Sequence, residues 1–332
     1  MSSGLLGLPA VDDTLAADIS GRLDSVEDLL RSSVESEHSL LRDASRHLAE
    51  AGGKRFRPML VLLAAEFGDR AAPGVVPAAV VVELTHLATL YHDDVMDEAV
   101  MRRGEASANS RWDNTVAILT GDYLFARASD ILADLGPEAV RIQARTFARL
   151  VQGQIEETTG PPEGTDALNH YLGVVAGKTG SLIAASGHLG ALLAGAEPAV
   201  VTTLTSVCEK IGIAFQLSDD ILDVASESDE SGKTPGTDLR EGVHTLPVLH
   251  VLRSAAPGDE HLRSLLLSDL SEDDARHAEA LTLLRAHPAM DRARADLRQW
   301  VDDAHAELAT LPDLPARTAF MALCDYVLTR TS

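Results

Sequence analysis

Two stretches of the chain carry acids in one arrangement, Asp93-Asp94-x-x-Asp97 and Asp219-Asp220-x-x-Asp223. Ahead of the first, Val80, Leu84, Leu87, Tyr91 and Val95 recur at steps of three and four, which predicts an amphipathic helix. On such a helix Asp93 and Asp97 are one turn apart, roughly 6 Å along the axis, so both carboxylates can reach one cation. Three like charges this close repel unless something strongly positive sits between them. Arg102 and Arg103 follow at once, and Gln216 shares a helical face with the second triplet. Hard carboxylate oxygens beside guanidinium forks suit a divalent metal and a diphosphate together. The pairs Asp12-Asp13, Asp273-Asp274 and Asp302-Asp303 act as an internal control. They lack the third acid and a basic or amide partner, so they read as helix caps or solvated faces.

Further residues point to anions. Gly52-Gly53-Lys54-Arg55-Phe56-Arg57-Pro58 sets three cations beside glycines that let a ligand approach the backbone, which reads as an anion pocket. Gly177-Lys178-Thr179-Gly180 interrupts a helical run and is expected to aim its polar groups inward. Of four lysines, Lys54, Lys178 and Lys233 each follow a glycine, while arginine serves elsewhere. His86 lies two turns before Asp93 on nearly the same helical bearing. No P-loop, dinucleotide fingerprint, EF-hand spacing or nucleophile–base arrangement is present.

The elements that must hold these residues read as helices throughout. Residues 12–50 predict one or two helices, and Leu60–Phe67 another, ending at Gly68. The central helix then leads into long helical stretches at 114–135, 138–158, 166–195 and 199–224, with shorter pieces from 245 to 329. The polar run from Ser226 to Asp238 reads as a mobile lid. No biased linker divides the chain, so residues 1–332 are expected to form a single all-α domain.

The chain has 332 residues, 45% hydrophobic, and a net charge of −23. That balance argues against nucleic-acid binding, and an anionic substrate needs a local basic cluster. Cys208 and Cys324 form no metal or redox pattern and read as buried thiols. No signal peptide is recognisable, and the apolar run from Val75 to Tyr91 is interrupted and short for a bilayer. A cytoplasmic location without a transmembrane segment is expected.

Taken together, G-G-K-R-F-R-P, E-L-T-H-x-A-x-L-x-H-D-D-x-x-D-x-x-x-x-R-R-G, G-K-T, F-Q-L-S-D-D-I-L-D and G-K-T-P-G-T-D-L-R-E-G resemble the trans-isoprenyl diphosphate synthases, the polyprenyl synthetase family. The resemblance covers about residues 52–247. It implies an all-α bundle around a deep cavity, usually a homodimer, with the two acid clusters facing each other at its mouth. It implies magnesium, about three ions per site, on Asp93, Asp97 and Asp219, with Asp94, Asp220 and Asp223 ligating or supporting. Arg102, Lys178, Gln216 and Lys233 would hold an allylic diphosphate and its surroundings. Lys54, Arg57, His86 and Arg103 would hold isopentenyl diphosphate. Thr179, Gln216 and the carbonyl of Lys178 would stabilise the allylic cation. Relatives often carry a basic residue where this chain has Val243-His244, which leaves that contact to Arg240 or His244. A single Arg330 stands where some relatives have a basic pair.

Small Ala88 and Thr89 ahead of Asp93 resemble long-chain synthases, with products of roughly C30 to C50. A geranylgeranyl diphosphate synthase is the alternative within the class. A class I terpene cyclase needs no second-substrate pocket, and a regulatory subunit would not keep both acid clusters.

Overall fold

In the computed structural model, residues 12–226, 235–254 and 256–331 are described. Sixteen α-helices, one π-helical turn and one two-stranded hairpin account for the regular structure among them. The expected all-α class is therefore observed. The described residues group into two compact units: those of 12–148, 182–208 and 310–322 in the first, and those of 149–181, 209–226, 235–254, 256–309 and 323–331 in the second.

The first unit is built round α4 (Val75–Met96). Every residue from Ala78 to Thr85 is buried, so α4 is a core helix enclosed on most sides rather than the amphipathic one its apolar spacing predicts. Helices α1 (Asp13–Ser33), α3 (Phe56–Ala65) and α6 (Asn114–Leu135) pack against it. Where α6 crosses α4, a Cβ at Gly121 would lie 3.1 Å from the Ala88 carbonyl, so glycine permits the approach. Helix α2 (Ser39–Glu50) packs on α6, and the buried Tyr91 hydroxyl accepts from the Leu48 amide at 3.2 Å.

Between α4 and α6 the sequence reading misses a hairpin, β1 (Met101–Arg102) with β2 (Glu105–Ala106). Strands of two residues leave no alternation to detect. Its loop is Arg103-Gly104, both at positive φ (54° and 83°), the backbone signs of a type I′ turn. Helix α5 (Ala108–Arg111) follows it.

In the second unit, the end of α7 (Pro137–Thr159) lies against the junction of α8 (Ala167–Val175) and a π-helical turn at Ala176–Gly180. The interruption expected at Gly177–Gly180 is thus a π-bulge, a wider turn that frees backbone groups from the regular ladder. A Cβ on Gly153 would stand 2.7 Å from the Lys178 amide nitrogen, so the two backbones touch. Helix α9 (Ser181–Leu193), from its second residue on, and the start of α10 (Pro198–Ala225) belong to the first unit, and the remainder of α10, in the second, carries the second acid cluster. Then come α11 (Thr237–Arg240), α12 (Leu246–Arg253), α13 (Glu260–Leu266), α14 (Asp274–Arg285), α15 (Ala289–Leu308) and α16 (Pro315–Thr329).

Among the described residues, α4 and α10 are long and apolar enough to cross a membrane, but 72% and 56% of their most apolar windows are buried within the protein. The control acids behave only partly as expected: Asp12 and Asp273 cap α1 and α14, and Asp302 and Asp303 are exposed on α15. Asp274, however, pairs with Arg240 at 2.9 Å and Asp303 accepts from Gln299 Nε2 at 2.8 Å, contrary to the expectation of no basic or amide partner.

Candidate active site

The first acid cluster closes α4. Asp93 is the partly exposed member within the helix, and Asp97 is the C-cap, its amide donating to the Asp93 carbonyl at 2.8 Å. Asp94, the middle acid of the triplet, is fully buried. One of its oxygens accepts from Arg102 Nε at 2.6 Å, and its Oδ2 is buried with no hydrogen-bond partner. Burial raises the Asp94 pKa, opposed by Arg102. Arg102 also lies 4.0 Å from Asp97. The hairpin thus delivers Arg102 to the acids that precede it.

Arg103, at the hairpin tip, donates to the carbonyls of Leu48 (3.0 Å) and Gly52 (2.6 Å). A Cβ on Gly53 would lie 3.3 Å from its guanidinium, so this glycine makes room for the arginine. The basic loop itself divides. Arg55, at φ 46°, turns its side chain inward, contrary to the reading of three cations facing one anion. It pairs with Glu83 (2.8 Å), with Glu27, and with the Ala49 carbonyl (2.7 Å). Lys54 remains exposed, and Arg57 remains partly so with its Nε buried and unpartnered. Burial lowers the Arg57 pKa to about 10, against the pull of Glu83, with Arg103 lowering it further. His86 is held well below its usual value by burial and then by Arg57, Arg103, Arg102 and Arg55. Its ring is neutral at pH 7. The first unit therefore brings Arg57 and Arg103 close enough to His86 to disfavour its charged form.

The second unit assembles another predicted set. Thr179 Oγ1, on the π-turn, donates to Gln216 Oε1 at 3.1 Å. Gln216 Nε2 donates to Asp220 Oδ1 at 2.9 Å, one turn along α10, and the Tyr171 hydroxyl donates to the other Asp220 oxygen. Burial lifts the Asp220 pKa to about 6, countered by those two bonds and raised further by Asp219 and Asp223. Tyr171 was not singled out from the sequence, and no signal marks it there.

Asp223 accepts from the amides of Thr237 (3.1 Å) and Asp238 (3.2 Å), so it tethers the first turn of α11. Asp219 pairs with Arg330 at 2.5 Å, and the same guanidinium lies 4.6 Å from the Phe215 ring centre. Lys178 bonds Glu157 at 2.5 Å. Arg240 is held by Asp274 and the Ser271 carbonyl, and His244 lies 3.2 Å from the Leu266 carbonyl. Both therefore have other partners. Lys233 and most of the predicted lid lie outside the described residues. Among the described residues, no three His, Cys, Asp or Glu converge as a metal-binding group. The acids are held by cations, hydroxyls and amides of the protein.

The profile of the polyprenyl synthetase family matches residues 38–284. Nonaprenyl diphosphate synthase of Mycobacterium tuberculosis is 51% identical, over 98% of this chain and 97% of its own. Geranylgeranyl pyrophosphate synthase of Corynebacterium glutamicum, solved with calcium and isoprenyl diphosphate, superposes with a TM-score of 0.87. It is 46% identical and covers 97% of this chain and 98% of its own. A decaprenyl diphosphate synthase of Rhodobacter capsulatus matches with a TM-score of 0.87 at 36% identity, covering 96% and 99%. With its acid triplets, basic loop and π-turn placed on these helices, the chain belongs to the polyprenyl synthetase family.

Proposed function

We propose that this prenyltransferase joins isopentenyl diphosphate head to tail to an allylic diphosphate, giving a longer trans-polyprenyl diphosphate and free diphosphate. The observation that carries the reading is the coexistence of two intact acid triplets with a separate anion-binding set: Arg57 in the first turn of α3, His86 on α4 ahead of the first triplet, and Arg103 on the hairpin after it. Two anionic substrates need two such places, whereas a cyclase acting on one needs a single one.

The acids fit a divalent metal. Their donors are all hard oxygens, and Asp94 Oδ2 is buried without a partner, a state that costs about 1–3 kcal/mol unless something answers it. Asp93, Asp97 and Asp219 would hold magnesium, with Asp94, Asp220 and Asp223 in support. The ions, when bound, supply Lewis-acid withdrawal of charge from the leaving diphosphate.

The remaining work belongs to side chains. Arg102, Lys178 and Lys233 hold the allylic diphosphate, and Lys54, Arg57, His86 and Arg103 hold the isopentenyl one. As the allylic C–O bond breaks, the Thr179 hydroxyl, the Gln216 oxygen and the Lys178 carbonyl face the cation with partial negative charge. The isopentenyl double bond supplies the electron pair for the new C–C bond, and the departing diphosphate takes the proton lost next to it. Six carboxylates without metal repel the substrate, so metal and diphosphate bind interdependently.

We place the product near C30 to C50, supported by small Ala88 and Thr89 and by the nonaprenyl and decaprenyl relatives. A geranylgeranyl product is the second reading, favoured by the Corynebacterium relative. The chain is proposed to work as one catalytic domain within a cytoplasmic homodimer. Purified chain incubated with magnesium, farnesyl diphosphate and isopentenyl diphosphate should elongate the primer, and chelation should stop it. Hydrocarbon formed without isopentenyl diphosphate, or turnover that survives chelation, would sink the reading.

A further inference from the structure

Glu83 is 2% exposed in the core helix α4, a place where a carboxylate is costly unless paired. It stands one turn before His86 and meets two arginines, Arg55 Nη1 at 2.8 Å and Arg103 Nη2 at 3.8 Å. Arg55 is the N-cap residue of α3 and closes the basic loop on Glu27 of α1 and the Ala49 carbonyl of α2. Arg103 grips the same loop from the hairpin, through the Leu48 and Gly52 carbonyls. One buried carboxylate therefore orders both ends of the segment that presents Lys54 and Arg57.

We infer that Glu83 is the positioning residue of the isopentenyl diphosphate pocket, fixing the basic loop and the hairpin tip in register through Arg55 and Arg103. Arg55 is then a strut rather than a ligand. The inference rests on the assignment of Lys54, Arg57, His86 and Arg103 to isopentenyl diphosphate. It makes a prediction opposite to simple charge counting. Removing a negative charge from among arginines should strengthen their pull on a diphosphate. Removing the residue that aligns them should weaken it.

Steady-state kinetics of Glu83→Gln with farnesyl and isopentenyl diphosphates separates the two. KM for isopentenyl diphosphate is expected to rise about 10-fold, with kcat and the allylic KM within about 3-fold of wild type. An unchanged or lower KM for isopentenyl diphosphate overturns the inference. If Glu83→Gln does not fold, Glu27→Gln loosens Arg55 from its outer side, and a rise of about 3-fold in the same KM is expected; no rise overturns it. Lys54→Ala is the control for the underlying assignment. If it raises that KM while the Glu variants do not, Glu83 alone loses its role. If it does not, the pocket assignment fails and the inference with it.

Discussion

Asp94 and Asp220 hold the middle place of their triplets, and both are buried with an oxygen on a neighbouring donor. Their neighbours Asp93 and Asp219 are partly exposed and Asp97 is exposed, consistent with their proposed role as the metal ligands. Neither burial is readable from D-D-x-x-D, because the pattern gives the spacing of acids but not which way the helix is turned. His86 shows the same limit. The resemblance implies a diphosphate partner, while burial and the nearby arginines hold its pKa well below the usual value, so in the proposed pocket it would act as a neutral hydrogen-bond donor rather than a charge. His86→Gln should therefore keep KM for isopentenyl diphosphate within about 3-fold, and His86→Phe should raise it about 10-fold. Stability carries the matching sign. The unfolded chain takes up this proton near 6.5 and the folded chain only at lower pH. Wild type should thus lose stability relative to His86→Gln below about pH 6.5, by up to about 1.4 kcal/mol per pH unit, in thermal melts between pH 7.5 and 5.5.

Among the elements, the π-turn and the end of α7 meet through Gly153 and Gly177 with no side chain between them. Gly153→Ala would drive a methyl group against the Lys178 backbone. It should destabilise the protein by about 1–3 kcal/mol in denaturant titrations and lower kcat by displacing Lys178 and Thr179. The sequence shows an interruption at this point, but only packing shows that a Cβ on Gly153 would meet the Lys178 amide at 2.7 Å and one on Gly177 would crowd Gly153 at 3.1 Å. On α4, Thr89 is 9% exposed and its hydroxyl bonds the His86 carbonyl at 2.8 Å. A phenylalanine there should shorten the product by at least one isoprene unit, seen by chromatography after dephosphorylation. An unchanged distribution would remove Thr89 from the wall of the product channel.

At the scale of the molecule, α6 leaves Ile118 and Leu119 43% and 58% exposed, adjacent apolar side chains on an otherwise acidic protein. A second copy covering them would account for the pair. Ile118→Arg with Leu119→Arg should halve the mass measured by light scattering if the proposed homodimer forms through this helix.

Helix positions, the class of the fold and the chemical kinds at the site are all determined by the sequence alone. They depend on local spacing: three-and-four apolar steps, glycine breaks, acids one turn apart. Tertiary structure alone decides direction and partnership. It turns Arg55 inward to Glu83, buries Asp94 and Asp220, sets Tyr171 on Asp220, draws Arg330 to Asp219, and makes a hairpin of Met101–Ala106. Apart from the hairpin, whose two-residue strands leave no alternation to read, each of these joins residues far apart in the chain or fixes a rotation about a helix axis, and burial and charge pairing select among such arrangements only after the helices have packed.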